Sequence, residues 1–220
     1  MVDKDIWIVI PAYNESKHIA GVIKKTKEFC DNIIVIDDGS RDETYNIAKN
    51  QNVFVLKNIV NMGKGAALRT GCDFALQQGA RNIVVMDSDG QHNPSKIPLF
   101  LDGLKNKEII FSYRKFSANM PFVLRIGNIT ISKFTSLLYG IKIKDTQCGF
   151  RAFNSEAYKK IRWKSCGYSM ESEMIANTGK NHLRYGEIPI ETIYSDKYKG
   201  TTVIDGFKIV LNMIKWRFGI

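Results

Sequence analysis

Short apolar runs alternate with amphipathic stretches along the first half of the chain. The runs carry almost no polar residues, which is typical of strands buried on both faces of a parallel sheet. Between them, apolar residues recur at helical spacing, and Ser40 and Glu43 have the spacing of a capping box. The pattern predicts strand–loop–helix units and a mostly parallel, Rossmann-like α/β sheet flanked by helices. The predicted strands are 6–10, 33–36, 53–56 and 83–86, and the predicted helices are 16–30, 40–50 and 61–78.

The second half of the chain has a less regular pattern. A strand is predicted over 108–112 and a helix over about 121–138. The last segment, 203–218, is amphipathic and is either a core helix or an interfacial helix lying on a membrane; a tryptophan beside basic residues favours the second. Its predicted apolar face is Val203, Ile204, Phe207, Val210, Leu211, Ile214 and Phe218.

Two carboxylates follow the fourth predicted strand directly. Asp87 and Asp89 are separated by one serine, and in an open α/β sheet ligands collect at the carboxyl ends of the strands. Two carboxylates at this spacing can converge on a hard cation such as Mg²⁺ or Mn²⁺, which keeps several waters and takes phosphate oxygens from a substrate. The alternative is that both acids cap a helix that begins near Pro94.

The composition fits one domain over residues 1–220. The chain is 44% hydrophobic and has neither a proline- or serine-rich linker nor an apolar run near the ~18 residues of a membrane span. No apolar signal segment precedes the first strand. The four cysteines are widely spaced, which indicates reduced thiols in a cytoplasmic protein and no zinc site. The three histidines are also scattered, and we interpret them as surface or core residues.

The net charge of +10 is concentrated in one segment. Residues 105–166 hold 13 Lys and Arg against 3 Asp and Glu, whereas the rest of the chain is balanced. Such a segment attracts nucleic acid, anionic lipid headgroups or a phosphorylated acceptor. Nucleic acid is disfavoured, because the basic residues are not interleaved with an RNA-binding motif and acids lie at the predicted site.

Four ordered motifs give the chain a resemblance to a known family. They are Pro11-Ala-Tyr13-Asn14-Glu15, Asp37-Asp38-Gly39-Ser40, Asn61-x-Gly63-Lys64-Gly65 and Asp87-Ser88-Asp89-Gly-Gln91, and together they resemble the donor half of family 2 glycosyltransferases. The segment 145–151, Asp-Thr-Gln-Cys-Gly-Phe-Arg, is similar to the dolichol-phosphate mannose synthase branch, which includes polyprenyl-phosphate glucosyltransferases. The resemblance covers about residues 6–194. The chain has neither a Walker A motif nor a GxGxxG fingerprint, so kinase and dehydrogenase functions are disfavoured.

The resemblance implies an inverting, metal-dependent enzyme with a single GT-A domain. Its donor half, about residues 1–105, would bind a GDP- or UDP-linked sugar. Asp87 and Asp89 would hold Mg²⁺ or Mn²⁺ with Gln91 alongside, and the metal would neutralise charge on the departing nucleoside diphosphate. The implied donor-binding residues are Pro11, Tyr13, Glu15, Asp37, Asp38, Lys64 and Ser88.

The implied acceptor half spans about residues 106–202 and takes a polyprenyl or dolichyl phosphate. Arg114 and Arg125 would bind the acceptor phosphate, because a guanidinium offers fixed bidentate geometry. A phosphate monoester is already largely ionised at pH 7 and needs no general base. Further candidate contacts to the acceptor or diphosphate are Asp145, Arg151, Glu171 and Lys197.

A saccharide acceptor is the alternative within the same enzyme class. It would require one of Asp145, Glu171 or Glu173 to act as general base. Because Glu171 and Glu173 are two residues apart on a predicted helix, only one is expected to face inward.

A lipid acceptor further implies a location. The enzyme would be peripheral at the cytoplasmic face of the cell membrane, held to an anionic surface by the basic segment and the terminal helix of residues 203–218. A membrane-protein partner is a further alternative.

Overall fold

The computed structural model describes residues 5–114, 122–191 and 203–218, with the backbone alone for 122–129, 203–207 and 218. These ranges hold seven strands and eight α-helices. The strands are β1 (Ile6–Ala12), β2 (Ile33–Asp37), β3 (Phe54–Lys57), β4 (Asn82–Val85), β5 (Ile109–Arg114), β6 (Arg151–Asn154) and β7 (Tyr185–Ile190). The helices are α1 (Ile19–Thr26), α2 (Thr44–Lys49), α3 (Lys64–Gln77), α4 (Ile97–Leu104), α5 (Phe122–Tyr139), α6 (Ser155–Ile161), α7 (Ser169–Lys180) and α8 (Val203–Phe218).

All seven strands belong to one sheet, in the order β3-β2-β1-β4-β6-β5-β7. Strands β1 to β4 run parallel, β5 and β7 run parallel to each other, and β6 is antiparallel to both of its neighbours. The mostly parallel sheet predicted from the apolar runs is confirmed. Because β2, β1 and β4 are adjacent, the loops that follow them open side by side at one edge.

Helices cover both faces of the sheet. Trp7 and Val9 of β1 join the cluster that includes buried residues of α3, α5, α6, α7 and α8, whereas Ile8 and Ile10 join the cluster formed with α1, α2 and α4. Burial on both sides explains why the strand runs lack polar residues. Helix α3 lies especially close: a Cβ added at Gly71 would be 2.4 Å from Val9 Cγ1. This packing fixes the first turn of α3 over the carboxyl edge.

The second helix begins differently from its prediction. Ser40 does not cap α2, which starts at Thr44. Instead, Ser40 Oγ accepts a hydrogen bond from the Asn14 amide, and the Ser40 amide donates to Asp37 Oδ1. The capping-box prediction is therefore wrong, and the segment around Ser40 joins the loop after β2 to the loop after β1. Helix α1 is also shorter than the predicted 16–30.

The most deeply buried residues of the C-terminal helix are ones that the predicted apolar face did not include, although Val210 of that face also packs against the core. Ile209 and Met213 are fully buried, and the Tyr139 hydroxyl donates to the Met213 carbonyl. Leu211 and Ile214, which belong to the predicted face, are 60% and 38% exposed. Helix α8 thus has a core side and a separate exposed apolar side. Among the described residues, no helix combines the length and apolarity that a bilayer crossing requires.

Candidate active site

A cleft of about 470 Å³ opens at the carboxyl ends of β1, β2 and β4. It is lined by residues from all four predicted motifs and by two residues just before α7. Of the residues predicted to bind the donor or the metal, the cleft brings together Pro11, Tyr13, Glu15, Asp38, Lys64, Asp87, Ser88 and Asp89. The other lining residues are Ala12, Asn14, Asn61, Gly63, Gly167 and Tyr168.

The loop after β1 presents an aromatic ring to the cleft. Tyr13 is 41% exposed. The next residue, Asn14, has a φ of 54°, and its side-chain oxygen accepts from the Arg41 amide. Glu15 is nearly buried, its amide donates to Thr44 Oγ1, and its carboxylate lies 2.9 Å from His18 Nδ1. The turn is therefore held from both sides, and the Tyr13 ring remains accessible in the cleft.

The carboxylate of Asp38 organises the loop that precedes α3. One of its oxygens accepts from the Met62 amide and from Asn58 Nδ2, and the other accepts from the Gly63 amide. The backbone here comes so close that a Cβ on Gly39 would be 2.6 Å from the carbonyl carbon of Val60. Asp38 thus lines the cleft and at the same time fixes its rim.

Asp37 does not line the described cleft. Its side chain is fully buried, one oxygen accepts from the Ser40 amide, and the other has no hydrogen-bond partner. In this structure Asp37 supports the loop after β2, and its contact with the nucleotide stays a prediction.

The first amides of α3 are occupied by protein groups. The Gly65 and Ala66 amides both donate to the Cys166 carbonyl, at 2.6 and 3.2 Å, and a Cβ on Gly63 would be 2.5 Å from the same oxygen. A helix N-terminus often binds phosphate through such amides, but here residues 164–168 lie against it. The cation that this loop offers to the cleft is therefore the Lys64 side chain.

Lys64 joins carboxylates from the two halves of the chain. Its Nζ lies 2.7 Å from Asp87 Oδ1 and 3.0 Å from Glu171 Oε1. Burial opposes the charged amine, but the two carboxylates outweigh it and raise the pKa of Lys64 above its ordinary value. Burial likewise opposes the Asp87 carboxylate, yet the ammonium and His92 lower the pKa of Asp87.

Gly149 leaves room for this ion pair. A Cβ at that position would be 2.9 Å from both Asp87 oxygens and from Lys64 Nζ. Gly149 belongs to the segment 145–151 that the sequence analysis singled out, but the need for a glycine there becomes visible only when the loop is placed against Asp87.

Asp89 is suited to hold a divalent cation. Burial and the neighbouring charge of Asp87 raise the pKa of Asp89, so a cation would relieve an unfavourable pair of carboxylates. The Gln91 amide donates to Asp89 Oδ1, although Gln91 is not among the cleft-lining residues. In the part of the chain described, no group of three or more His, Cys, Asp and Glu could enclose a metal. This donor set fits a cation that keeps waters and takes phosphate oxygens, as Mg²⁺ and Mn²⁺ do.

The acceptor-half residues show a different arrangement from the predicted one. Arg114 forms a bidentate pair with the buried Asp145, with Nε 2.7 Å from Oδ2 and NH2 3.1 Å from Oδ1. Arg151 is 1% exposed and donates to the carbonyls of Cys148, Thr146 and Glu171. In this structure Arg151 holds the loop before β6, and its contact with the acceptor or the diphosphate stays a prediction. The side chain of Arg125 and all of Lys197 lie outside the described residues.

Both acids of α7 are buried, against the expectation that only one faces inward. Glu171 meets Lys64, whereas Glu173 accepts from the Lys164 and Ser165 amides. Glu173 thus holds the loop that carries Tyr168 to the cleft. Tyr168 is 45% exposed and its ring centre lies 6.0 Å from Lys64 Nζ. The sequence analysis missed Tyr168 because it considered this segment only for its acids.

Comparisons with known proteins give a consistent result. The family model described as Glycosyl transferase family 2 matches residues 7–162. The chain is 36% identical to the UDP-N-acetylglucosamine–dolichyl-phosphate N-acetylglucosaminyltransferase of Methanococcus voltae, over 100% of this chain and 98% of that protein. It is 27% identical to the polyprenol monophosphomannose synthase of Mycolicibacterium smegmatis, over 94% of this chain and 84% of that one.

A solved structure shares the fold. Glucosyl-3-phosphoglycerate synthase from Mycobacterium tuberculosis, in complex with Mn²⁺, uridine diphosphate and phosphoglyceric acid, superposes with a TM-score of 0.74 at 18% identity. The match covers 98% of this chain and 78% of that chain. The predicted GT-A fold is confirmed.

Proposed function

The chain belongs to glycosyl transferase family 2 and is a glycosyltransferase, and we propose that it moves a sugar from a nucleotide-sugar to a polyprenyl or dolichyl phosphate. The two named relatives transfer different sugars, N-acetylglucosamine and mannose, but both names specify a polyprenol-type phosphate acceptor. The relatives therefore support a polyprenol-type phosphate as the acceptor of this enzyme, but they do not support one particular sugar.

The observation that carries the proposal is that each of the three candidate general bases is already paired with a protein group. Asp145 is paired with Arg114, Glu171 with Lys64, and Glu173 with two backbone amides. Burial would raise the pKa of Asp145, but the hydrogen bonds and charge of Arg114 hold it below its ordinary value. A general base works best with a pKa near the operating pH. An acceptor phosphate supplies an ionised oxygen and needs no such base.

The proposed reaction is a single displacement. An oxygen of the acceptor phosphate attacks the anomeric carbon of the sugar as the bond from that carbon to the diphosphate breaks, so the configuration inverts and a nucleoside diphosphate leaves. A bound Mg²⁺ or Mn²⁺ supplies positive charge to the leaving diphosphate. Asp89, with Asp87 and Gln91 beside it, would hold this cation. Asp87 keeps its charge through Lys64, which also brings a cation to the phosphate end of the cleft.

The donor would lie along the cleft from Tyr13 to Asp89. The exposed Tyr13 ring offers a stacking surface for the base, and Asp38 and Glu15 line the same end. Arg114 stays our proposed contact for the acceptor phosphate, acting with its guanidinium held in place by Asp145. Arg125 and Lys197 are proposed on the resemblance alone.

The test is a matched set of donors and acceptors. Purified enzyme would be incubated with labelled UDP-N-acetylglucosamine, UDP-glucose or GDP-mannose and a short polyprenyl phosphate, with the unphosphorylated polyprenol as the control acceptor. We expect one donor to label the phosphate and none to label the alcohol. Transfer to a saccharide but not to the lipid phosphate would establish the alternative acceptor.

Metal dependence has its own test. EDTA should abolish turnover and Mg²⁺ or Mn²⁺ should restore it, whereas Asp89→Asn should remain folded but inactive because its side chain faces the cleft. A parent enzyme that is fully active in EDTA would refute the metal assignment.

Two exposed apolar stripes support a peripheral position on the cytoplasmic face of the membrane. Helices α5 and α8 pack together through Tyr139 and Met213. On α5, Phe134 and Leu137 are 36% and 81% exposed, and Leu211 and Ile214 are exposed on α8. Exposed basic residues accompany these stripes, namely Lys133, Lys208, Lys215 and Arg217. Apolar groups beside lysines are the pattern of an interfacial surface.

Liposome sedimentation tests this position. Leu137→Asp and Leu211→Asp should each reduce binding to anionic vesicles, while Leu99→Asp on α4, at a 51% exposed position, should not. Binding by the parent should weaken with salt because surface charges are screened. Equal binding by all three variants would contradict the assignment of this surface.

A further inference from the structure

His92 is a buried polar residue that the proposed reaction does not use. It follows the Asp87–Gln91 segment, is 8% exposed, and its ring stacks on Phe150 with centroids 5.1 Å apart and planes 20° apart. Histidine is only sometimes fully buried, and this one contacts Asp87, one of the two carboxylates of the site.

The imidazole accepts a hydrogen bond from the backbone of Asp87. The Asp87 amide donates to His92 Nδ1 at 3.1 Å, so Nδ1 carries no proton in this bond and the neutral ring is protonated at Nε2. Nε2 lies 3.9 Å from Asp87 Oδ2. The ring thus approaches both the backbone and the carboxylate of the same residue.

This bond comes where the sheet ends. The preceding amide, Met86, donates to the Val9 carbonyl of β1, and β4 itself ends at Val85. With His92 as its acceptor, the Asp87 amide is satisfied at the point where the chain leaves the sheet and turns through Gly90, whose φ is 77°. The imidazole therefore fixes the direction in which the Asp87–Asp89 turn departs.

The ring is held from the acceptor half of the chain. Its stacking partner Phe150 precedes β6, and the Phe150 carbonyl accepts from Ser112 Oγ of β5 at 2.6 Å. Ser112 Oγ also lies 2.9 Å from Cys148 Sγ. These contacts leave the ring little freedom, which is what a positioning residue requires.

We propose that His92 is a positioning residue, which through the Asp87 amide sets the carboxylates of Asp87 and Asp89 for cation and diphosphate binding. The inference rests on the proposed function, because it assumes that these carboxylates meet a metal–diphosphate. Changes to groups that orient metal ligands typically weaken metal affinity about 10- to 100-fold.

Three variants separate this role from simple packing. His92→Asn retains an acceptor on the atom bonded to Cγ, where Nδ1 stands. His92→Phe keeps a ring against Phe150 but removes the acceptor, and His92→Gln places its amide one bond farther out. Mn²⁺ binding would be titrated by calorimetry, alone and with whichever of UDP and GDP the parent binds, alongside thermal unfolding.

We expect His92→Phe and His92→Gln to bind Mn²⁺ roughly 10- to 100-fold more weakly and His92→Asn to recover most of the affinity. The glutamine variant keeps the test decisive if the phenylalanine variant does not fold. Affinities equal to that of the parent in both Phe and Gln variants, with only the melting temperature changed, would overturn the positioning role. A parent that binds no Mn²⁺ with either nucleotide would instead refute the metal part of the proposed function, and the inference with it.

Discussion

Replacing Lys64 with methionine tests whether one lysine supports the two carboxylates of the site. Methionine keeps much of the side-chain length and removes the charge. In the parent, Nζ lies 2.7 and 3.0 Å from Asp87 and Glu171. The variant would leave two carboxylates, one of them fully buried, without their cation, and Glu171 already has one oxygen with no hydrogen-bond partner.

The expected loss follows from these distances. At an effective dielectric constant of about 20, each pair attracts by about 6 kcal/mol, most of which is offset by desolvation. Removing one partner of a buried pair costs ~3–5 kcal/mol. Because the Lys64 and Asp87 side chains are still 21% and 25% exposed, we expect the lower end, about 3 kcal/mol. For a chain of this size that corresponds to a melting temperature roughly 6–12 °C lower.

The assay is thermal and urea unfolding followed by circular dichroism at pH 7. Lys159→Met is the matched control, because Lys159 and Glu156 form a pair whose side chains are 55% and 71% exposed and should contribute less than about 1 kcal/mol. Adding Glu171→Gln to Lys64→Met should recover part of the loss by removing one unpaired carboxylate. If Lys64→Met and Lys159→Met are equally stable, the bridge does not support the site.

The stability that the Lys64–Asp87 ion pair contributes should depend on pH in a definite direction. The pKa of Asp87 is lowered from its ordinary 3.8, so the contribution of the ion pair is present above that value and is lost as pH falls through the lowered pKa. The pKa of Lys64 is raised from 10.5, so its contribution persists up to at least that pH. The stability difference between parent and Lys64→Met should therefore be full near pH 7 and shrink as pH falls to about 4 and below.

Three further predictions follow from other contacts. Gly149→Ala should lower kcat/KM by about 10- to 100-fold and lower the melting temperature by less than Lys64→Met does, because the added methyl shifts the Asp87–Lys64 pair without removing its charges; unchanged kinetics would contradict this. Tyr13→Ala should weaken nucleoside diphosphate binding, measured by calorimetry, by roughly 5- to 100-fold, and Tyr13→Phe should not. Arg114→Ala should raise the KM for lipid phosphate by about tenfold or more while leaving the donor KM unchanged; a change confined to stability, matched by Asp145→Asn, would make the pair purely structural.

The parts of the fold that could be predicted from sequence are those set by local pattern. Strands β1, β2 and β4 are buried on both faces, so their apolar runs predict them almost residue by residue. The loops that follow them carry motifs whose place at the carboxyl edge follows from the parallel sheet. The sequence alone therefore predicts that Tyr13, Asp38 and Asp87 lie together at this edge of the sheet.

The features that the sequence does not predict depend on contacts between residues that are distant along the chain. The resemblance predicts that Arg151 contacts the acceptor or the diphosphate, but the pattern does not reveal that its side chain is buried and donates to three carbonyls that the loop before β6 and helix α7 bring together. Helix α8 has apolar residues on more than one side, and its pattern alone could not distinguish the buried Ile209 from the exposed Leu211. Asp37 and Asp38 are adjacent in sequence, yet Asp37 ends β2 with a fully buried side chain, whereas Asp38 lines the cleft.

The predicted donor and acceptor halves are separate along the sequence, but residues of both halves contact each other at the site. Trp163 Nε1 donates to the Gly65 carbonyl and the Cys166 carbonyl accepts from the Gly65 amide, so the loop before α7 is fixed to the first turn of α3. Lys64, on that turn, carries the charge link to Glu171. A change in the position of α7 would therefore alter the charge environment of Asp87 through Glu171 and Lys64. Through these contacts the acceptor half of the chain is linked electrostatically to Asp87 in the cleft.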